Sequence, residues 1–312
     1  MVLKYTFYLH FYAQRCMISL TNKCKGVLKM KKATKILALL MTLVLIVGMF
    51  AACGAKTPAV KVIDVNLTEE EYAFGVDKNQ PELLEQVNAF IAEIKQNGKL
   101  EEIFNNNFGS GTPKSIQSAK LDESKDQLVV ATNAEFPPFE YTEGENFLGV
   151  DMEIAALLAE KLGKELVIQH MDFDAVCLAV GSHKCDIAMA GLTINEERKE
   201  SVNFSDSYYQ ASQKLIVKGD DTTFDACKSA DDVIAILKTM DTATHIGFQN
   251  GTTGQSFTES TGDYEDNAFK VSAVGYASGA LAVQDIINGN LQYVVIDAAP
   301  ADAIVKSINE VA

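Results

Sequence analysis

The residues most capable of chemistry stand in a strand-to-helix turn, at Thr193 and Arg198. The run 185–190, CDIAMA, predicts a buried strand, and Asn195 is a good helix cap placed before Glu196. Arg198 then falls in the first helical turn, and Thr193 lies between strand and helix. Free backbone N–H groups at a helix N-terminus and a forked guanidinium together form a site for a carboxylate. A second interpretation stays open, in which Arg198 only pairs with Glu196 or another surface acid.

A candidate acidic group ends a second predicted strand. Asp297 follows the apolar run 293–296, YVVI, which places its carboxylate at the carboxyl edge of a sheet, where α/β proteins bind ligands. The alternative is that Asp297 caps the helix after Pro300. The segment 251–254, GTTG, predicts only a turn by itself, and it is no phosphate loop because no lysine follows it.

The elements that must position these residues alternate from residue 128 onward. The run 128–131, LVVA, predicts a strand, Asp151 is expected to cap a helix, and 165–168, ELVI, predicts the next strand. Earlier in the chain, 81–97 predicts an amphipathic helix that begins with proline. Strands alternating with helices imply parallel sheets flanked by helices, which is an α/β fold.

Several motifs together resemble the type 2 periplasmic solute-binding proteins, the bacterial extracellular family 3 that serves amino-acid ABC importers. The resemblance is carried first by 190–198, AGLTINEER, and by 202–209, VNFSDSYY. It implies a two-lobed α/β fold, with a mostly parallel sheet flanked by helices in each lobe. Further segments match in the family's order: 131–141, ATNAEFPPFEY; 148–154, LGVDMEI; 171–173, MDF; 251–254, GTTG; and 295–300, VIDAAP.

The resemblance further implies that a free amino acid binds between the lobes, with no metal or other cofactor. Its α-carboxylate would be held by the guanidinium of Arg198 and by the backbone N–H groups of Thr193 and Thr253. Charge-assisted hydrogen bonds of this kind contribute about 1.5–3 kcal/mol each.

The resemblance places the α-ammonium of the ligand against Asp297. The carbonyl of Ala190 or Gly191 and the hydroxyl of Thr193 would assist. The ligand would therefore bridge both lobes, since Arg198 belongs to one lobe and Asp297 to the other, and binding would close them.

For the ligand side chain, the resemblance implies a sandwich between Phe136 and Phe173. Asn133 and Gln249 would face its tip. The alternative is that both phenylalanines belong to the core. Because Asn133 is neutral, we expect a polar or aromatic amino acid in preference to lysine or arginine.

The first 52 residues form a predicted leader. They contain eight basic residues and no acid, and 36–52 is almost wholly apolar, which predicts an export signal that is removed. Translation is expected to start at Met30. The junction 50–53, FAAC, resembles a lipobox, in which Cys53 is diacylated and anchors the protein to the cell membrane. Simple secretion and a retained transmembrane anchor are the alternatives.

Charge and cysteine content limit the partners of the mature chain. Eight of the 27 basic residues lie in the leader, so 19 remain against 42 acids, a net charge of −23. So acidic a protein does not attract nucleic acid. A bond between Cys177 and Cys185 is permitted after export, with free buried cysteines as the alternative. The cysteine and histidine spacing does not indicate zinc.

The segment 58–108 stands out of the family's order, because its elements correspond to the family's C-terminal end. We therefore predict a circular permutation, with the usual ends joined through a polar linker at about 109–126. The predicted organisation is lobe 2 from 58–67 plus 213–312, lobe 1 from 73–207, and crossovers at 68–72 and 208–212.

The expected protein is a monomeric, extracytoplasmic lipoprotein that delivers an amino acid to an ABC permease and its ATPase. A dehydratase-like enzyme on the same fold is one alternative, with Glu135 or Glu140 as its general acid, although no nucleophile–base pair supports it. An amino-acid sensor or surface adhesin is another. A third alternative is a swapped dimer or filament, in which 58–108 completes a neighbouring molecule.

Overall fold

The structure is a computed structural model that describes residues 58–311. The predicted leader, the Met30 start and the lipidation site Cys53 lie outside the described residues. Within residues 58–311, no helix combines the length and the apolar character that crossing a bilayer requires.

One five-stranded sheet, here called the β4 sheet, consists in spatial order of β10 (Val202–Phe204), β3 (Gly75–Asp77), β9 (Ile187–Ala188), β4 (Gln127–Thr132) and β8 (Glu165–His170). β4 pairs in parallel with β8 and β9, whereas β3 pairs antiparallel with β9 and β10. β4 is an interior strand that is buried along almost its whole length. Helices cover both faces of the sheet, which explains the continuous apolar run of β4.

A second five-stranded sheet, here called the β12 sheet, combines the start of the described chain with its C-terminal half. In spatial order its strands are β1 (Val60–Val62), β12 (Gln213–Lys218), β15 (Tyr293–Asp297), β13 (His245–Gln249) and β14 (Ser272–Tyr276). β13 pairs in parallel with β14 and β15, and β12 pairs antiparallel with β1 and β15. All five residues of β15 are buried, and Asp297 is its last residue.

Two strands connect these sheets. β2 (Glu70–Tyr72) leads from β1 to β3, and β11 (Tyr209–Ala211) leads from β10 to β12. They pair antiparallel with each other, so the two connections between the sheets run side by side. A small three-stranded sheet consists of β5 (Glu135–Phe136), β6 (Glu140–Glu143) and β7 (Asn146–Leu148).

Helices flank both large sheets. Those between residues 81 and 199 pack with the β4 sheet, and those from residue 230 onward pack with the β12 sheet. This arrangement confirms the predicted α/β class. The helices are α1 (Pro81–Gln96), α2 (Lys99–Phe108), α3 (Val150–Leu162), α4 (Phe173–Gly181), α5 (Glu196–Lys199), α6 (Ala230–Leu237), α7 (Thr253–Glu259), α8 (Gly279–Asn288) and α9 (Ala298–Val311).

The expectation that Asp151 caps a helix is wrong. α3 begins at Val150, and the residue at its N-cap is Gly149. A side chain at position 149 would collide with the Phe139 carbonyl, because a Cβ there would lie 2.1 Å from that oxygen. Asp151 itself is fully buried and accepts hydrogen bonds from distant parts of the chain. These bonds offset the cost of burying the carboxylate, so the side chain is not used as a helix cap.

The predicted linker at 109–126 lies against the β4-sheet half of the molecule. Ile116 forms an isolated antiparallel bridge with Phe147, and the Ala119 amide donates to the Leu166 carbonyl at 2.8 Å. Backbone pairing therefore holds this polar segment along β7 and β8. Its composition predicted a polar linker but carried no signal for these contacts.

Candidate functional site

Arg198 lies at the start of α5, as the sequence predicted. The Asn195 side chain accepts from the Arg198 amide at 2.8 Å and so caps the helix. The guanidinium is buried, with 9% of the residue exposed, and forms no ion pair within residues 58–311. Glu196 pairs instead with Lys199. The interpretation of Arg198 as a surface ion-pair residue is therefore wrong.

The guanidinium reaches from one half of the molecule to the other. Nη1 donates to the Thr193 carbonyl at 2.7 Å, and Nη2 donates to the Gly251 carbonyl at 3.0 Å. The Phe173 ring lies beneath it, with 5.1 Å between the guanidinium carbon and the ring centroid. Carbonyl dipoles and a π face orient a planar cation without neutralising its charge.

Thr193 presents both backbone groups toward this cation. It faces Tyr72 in an isolated antiparallel bridge whose flanking hydrogen bonds run from Ala73 to Leu192 and from Ile194 to Glu71. In that pairing the N–H and carbonyl of Thr193 point away from Tyr72, toward the Arg198 side. The N–H is thus oriented to donate to an anion beside Arg198.

The turn before α7 supplies the opposing backbone. Gly251 has φ +74°, and a Cβ there would lie 2.9 Å from the Asp174 side chain, so the close approach requires glycine. As the first residue of α7, Thr253 has an N–H outside the helical hydrogen-bond ladder. Its hydroxyl is buried and has no partner within residues 58–311.

At the acidic end, Asp297 is buried at the end of β15 and does not cap α9 through its side chain. It accepts a hydrogen bond from the Tyr72 hydroxyl and faces Gln213 across the β12–β15 pairing. Burial, followed by the negative charge of Glu70, raises the pKa of Asp297 to about 7.

Glu70 is the main site residue that sequence reasoning missed. It is 6% exposed, and its carboxylate accepts from the Thr193 and Thr68 hydroxyls, both at 2.6 Å. The Gln213 amide donates to it at 3.4 Å. Glu70 falls within the predicted crossover 68–72. The signal that could have identified it was an acidic residue in a short crossover between the predicted lobes.

Ala190 and Gly191 lie where β9 leads toward the Thr193 turn, and both are buried. The Gly191 amide donates to Asp151 at 2.9 Å, and the Tyr208 hydroxyl donates to the other Asp151 oxygen at 2.6 Å. Burial raises the pKa of Asp151 to about 7 despite these two donors. Asp151 therefore fixes the orientation of the Gly191 peptide, and the sequence did not indicate this role.

A second buried acid without a cation lies near Asp151. Glu140 is fully buried, and neither carboxylate oxygen has a hydrogen-bond partner in the described part of the chain. Burial, then the charges of Asp151 and Asp297, raises its pKa well above the ordinary range. We assign Glu140 no separate chemical role.

The four residues predicted around the ligand side chain divide into two groups. Asn133 and Gln249 meet across the halves, with the Gln249 amide nitrogen donating to the Asn133 oxygen at 3.0 Å. The Gln249 amide oxygen has no partner within the described residues. Phe173 lies under Arg198. Phe136 is buried beside Phe139, 6.3 Å between ring centroids, and its ring edge lies against Gly191.

Two clefts open beside these residues. One, of about 350 Å³, is lined by Glu70, Thr193 and Thr253 among others. The other, of about 440 Å³, is lined by Arg198, Phe173 and Gly251. Cys177 and Cys185 are free thiols, so the possible disulfide is not formed. No cluster of three or more metal-binding side chains occurs among the described residues.

Comparison with known proteins gives the following matches. The family model for bacterial extracellular solute-binding proteins, family 3, matches residues 128–306. The Arginine-binding extracellular protein ArtP of Bacillus subtilis (strain 168) is 41% identical over 32% of this chain and 39% of its own length. ABC transporter arginine-binding protein 1 of Escherichia coli (strain K12) is 27% identical over 58% of this chain and 68% of its own.

Solved structures agree with these matches. An ancestral arginine-binding protein bound to arginine is 34% identical, with a TM-score of 0.50, over 59% of this chain and 75% of that one. Among curated relatives, the matched segments of three span 39% to 63% of the relative's length, which is less than two thirds. The family match therefore covers residues 128–306 of this chain rather than its whole length.

Proposed function

This chain belongs to the bacterial extracellular solute-binding proteins, family 3, and we propose that it captures a free amino acid and delivers it to the permease of an ABC importer. One observation carries the proposal. The Thr193 carbonyl accepts from Arg198, and the Thr193 hydroxyl donates to Glu70, which lies beside Asp297. A buried cation and buried acids thus stand on opposite sides of one residue, as a zwitterion requires.

Each group then has a role in binding. Arg198, with the N–H groups of Thr193 and Thr253, binds the α-carboxylate. Asp297 binds the α-ammonium with help from the Ala190 or Gly191 carbonyl. The unpartnered amide oxygen of Gln249, together with Asn133, Phe136 and Phe173, contacts the ligand side chain.

The identity of the amino acid rests on two opposing arguments. The relatives named above bind arginine by their names, which favours a cationic ligand. The neutral side chain at Asn133 favours a polar or aromatic one. A screen of all twenty amino acids decides between them.

A thermal-shift screen tests this function. Ligand at a hundredfold its Kd stabilises the folded state by about 2.7 kcal/mol, which for a protein of this size raises Tm by roughly 5–10 °C. We expect one amino acid or a small group to produce this rise in the wild-type protein, and Arg198→Ala to abolish it. If none of the twenty raises Tm, the proposed function is wrong.

We also propose that Cys53 carries a lipid anchor, because the preceding residues 50–52 resemble a lipobox. The expected location is the outer face of the cell membrane, which agrees with the extracytoplasmic location of the relatives. Mass spectrometry of the membrane-bound protein would detect a diacylated N-terminal Cys53. An unmodified mature N-terminus would exclude the anchor.

The order of elements supports our proposal of a circular permutation, with the lobe boundaries given above. Residues 60–108 precede the matched segment, yet they add β1 to one sheet and β3, α1 and α2 to the other half. The Asn309 side chain accepts from the Ala59 amide at 2.8 Å and donates to the Val60 carbonyl at 2.9 Å. The two ends of the described part therefore lie side by side.

A variant with 58–108 moved after residue 311 should bind the same ligand; an unfolded product would contradict the proposal.

A further inference from the structure

Glu70 and Asp297 form a pair of buried carboxylates that come from different parts of the fold. Glu70 begins the connecting strand β2, and Asp297 ends β15 of the β12 sheet. They share neighbours: Gln213 donates to Glu70 and lies across from Asp297 in the sheet, while Tyr72, two residues after Glu70, donates to Asp297. Only 6% of Glu70 and 5% of Asp297 is exposed.

This pair has no cationic partner within residues 58–311. The ion pairs of that segment involve other acids, and the nearby guanidinium of Arg198 donates to two carbonyls. The other titratable groups that act on the pair add no positive charge; they are Tyr72, Tyr209, Tyr264 and Glu140. Two adjacent buried carboxylates repel each other unless one takes a proton or a cation lies between them.

The position of Glu70 connects this pair to one of the clefts beside the proposed site. Arg198 lines the second cleft, and Asp297 lines a third cavity of about 180 Å³. Glu70 lines the cleft of about 350 Å³ together with Thr193 and Thr253. Thr193 donates its hydroxyl to Glu70 and its carbonyl faces Arg198, so the two ends of the proposed site meet at one residue. The buried Thr253 hydroxyl, which has no partner among the described residues, lines the same cleft.

We propose that Glu70 is a second carboxylate for the α-ammonium of the ligand, which it binds jointly with Asp297. This inference rests on the proposed function. The ammonium would then contact both the connecting strand β2 and the β12 sheet. The positive charge of the ligand would therefore act at the place where the two halves of the protein join. It also makes ammonium binding compete with a proton on the acid pair, so affinity falls as the pH is lowered from 8 to 6.

The test compares Glu70→Gln with Glu85→Gln, a matched change at an exposed position that lines none of the three cavities. The probes are the amino acid with the largest shift in the screen and its analogue without the α-amino group; for L-arginine the analogue is 5-guanidinopentanoate. Calorimetry should show that Glu70→Gln lowers the affinity for the amino acid by about tenfold or more. The affinity of Glu70→Gln for the analogue should change less than twofold, and Glu85→Gln should match wild type for both probes.

The pH profile separates this role from a structural one. Removing the charge of Glu70 lowers the pKa of Asp297, so the loss of affinity on acidification should move to lower pH in Glu70→Gln. Equal losses for the amino acid and its analogue, or an unchanged pH profile, would overturn the inference while leaving the proposed function intact. Absence of binding by the wild type would instead refute the function.

A second measurement uses only the wild type and so tests the inference even if Glu70→Gln does not fold. Calorimetry of the wild type at pH 7 in phosphate and in Tris, which differ in ionisation enthalpy, measures the protons released on binding. We expect release of a fraction of a proton per ligand. Identical heats in the two buffers would overturn the inference.

Discussion

The basic and acidic ends of the site satisfy their charges in different ways. Arg198 donates to two backbone carbonyls and lies over an aromatic ring, so these contacts orient it while N–H donors stay free for a ligand. At the other end, Glu70 and Asp297 lie together with tyrosine, threonine and glutamine donors but no cation among the described residues. The buried cation is therefore well accommodated, whereas the two buried acids repel each other. A positive charge on the ligand should stabilise the acidic end most.

The largest effect is expected at the basic end. Arg198→Ala removes the only group there that carries a full positive charge, and with it a bidentate interaction. We expect a loss of affinity of about 100-fold or more, measured by calorimetry. Lys199→Ala is the matched control, because Lys199 is exposed and pairs only with Glu196. Wild-type affinity in Arg198→Ala would contradict the assignment of the carboxylate site.

Asp297→Asn tests the acidic end, where binding and stability are expected to change in opposite directions. The amide keeps the shape of the side chain but removes the charge that holds the ammonium, so affinity should fall by about tenfold or more. The pKa of Asp297 is about 7 in the folded protein against an ordinary value of 3.8. Its contribution to stability is therefore full below pH 3.8 and is lost as the pH rises through 7.

Asparagine does not titrate, so the unliganded variant should be more stable than wild type at pH 8. The gain is on the order of 2 kcal/mol, or roughly 5 °C in Tm, and it should shrink at pH 5. Thermal unfolding at the two pH values measures it, with exposed Asp220→Asn as the control. A variant less stable than wild type at pH 8 would show that Asp297 is not strained.

The two ends also differ in how far the sequence could predict them. Asn195, the α5 turn and Arg198 lie within a few residues of one another, so local capping rules and the resemblance sufficed to place the cation. The acidic end joins Tyr72 to Asp297 across 225 residues and Thr193 to Glu70 across 123. No local pattern reports such contacts, and Glu70 was consequently missed.

The same contrast explains the wrong expectation for Asp151. A carboxylate at the start of a helix resembles a cap, and local propensity favours that interpretation. The structure instead uses it to hold the Gly191 amide, 40 residues away, and the Tyr208 hydroxyl, 57 residues away. The α/β class, by contrast, follows from the alternation of strands and helices, which the sequence displays directly.

The smallest effect is expected at Phe173. This prediction distinguishes Phe173 from Phe136, the other phenylalanine proposed to sandwich the ligand. Phe173 lies under the Arg198 guanidinium, whereas Phe136 packs against Phe139 and Gly191. Phe173→Leu keeps an apolar side chain but removes the π face, at a cost of about 1 kcal/mol of cation–π interaction.

We therefore expect Phe173→Leu to weaken ligand binding by about fivefold with little change in unliganded Tm. Phe136→Leu is the comparison variant: besides altering the ligand contact proposed above, it should lower stability, because the Phe136 ring is part of the core that encloses Phe139. If Phe136→Leu weakens binding more than Phe173→Leu does, the aromatic contact that matters lies at the Gly191 side of the site. Arg198 would then depend on its two carbonyl acceptors alone for its orientation.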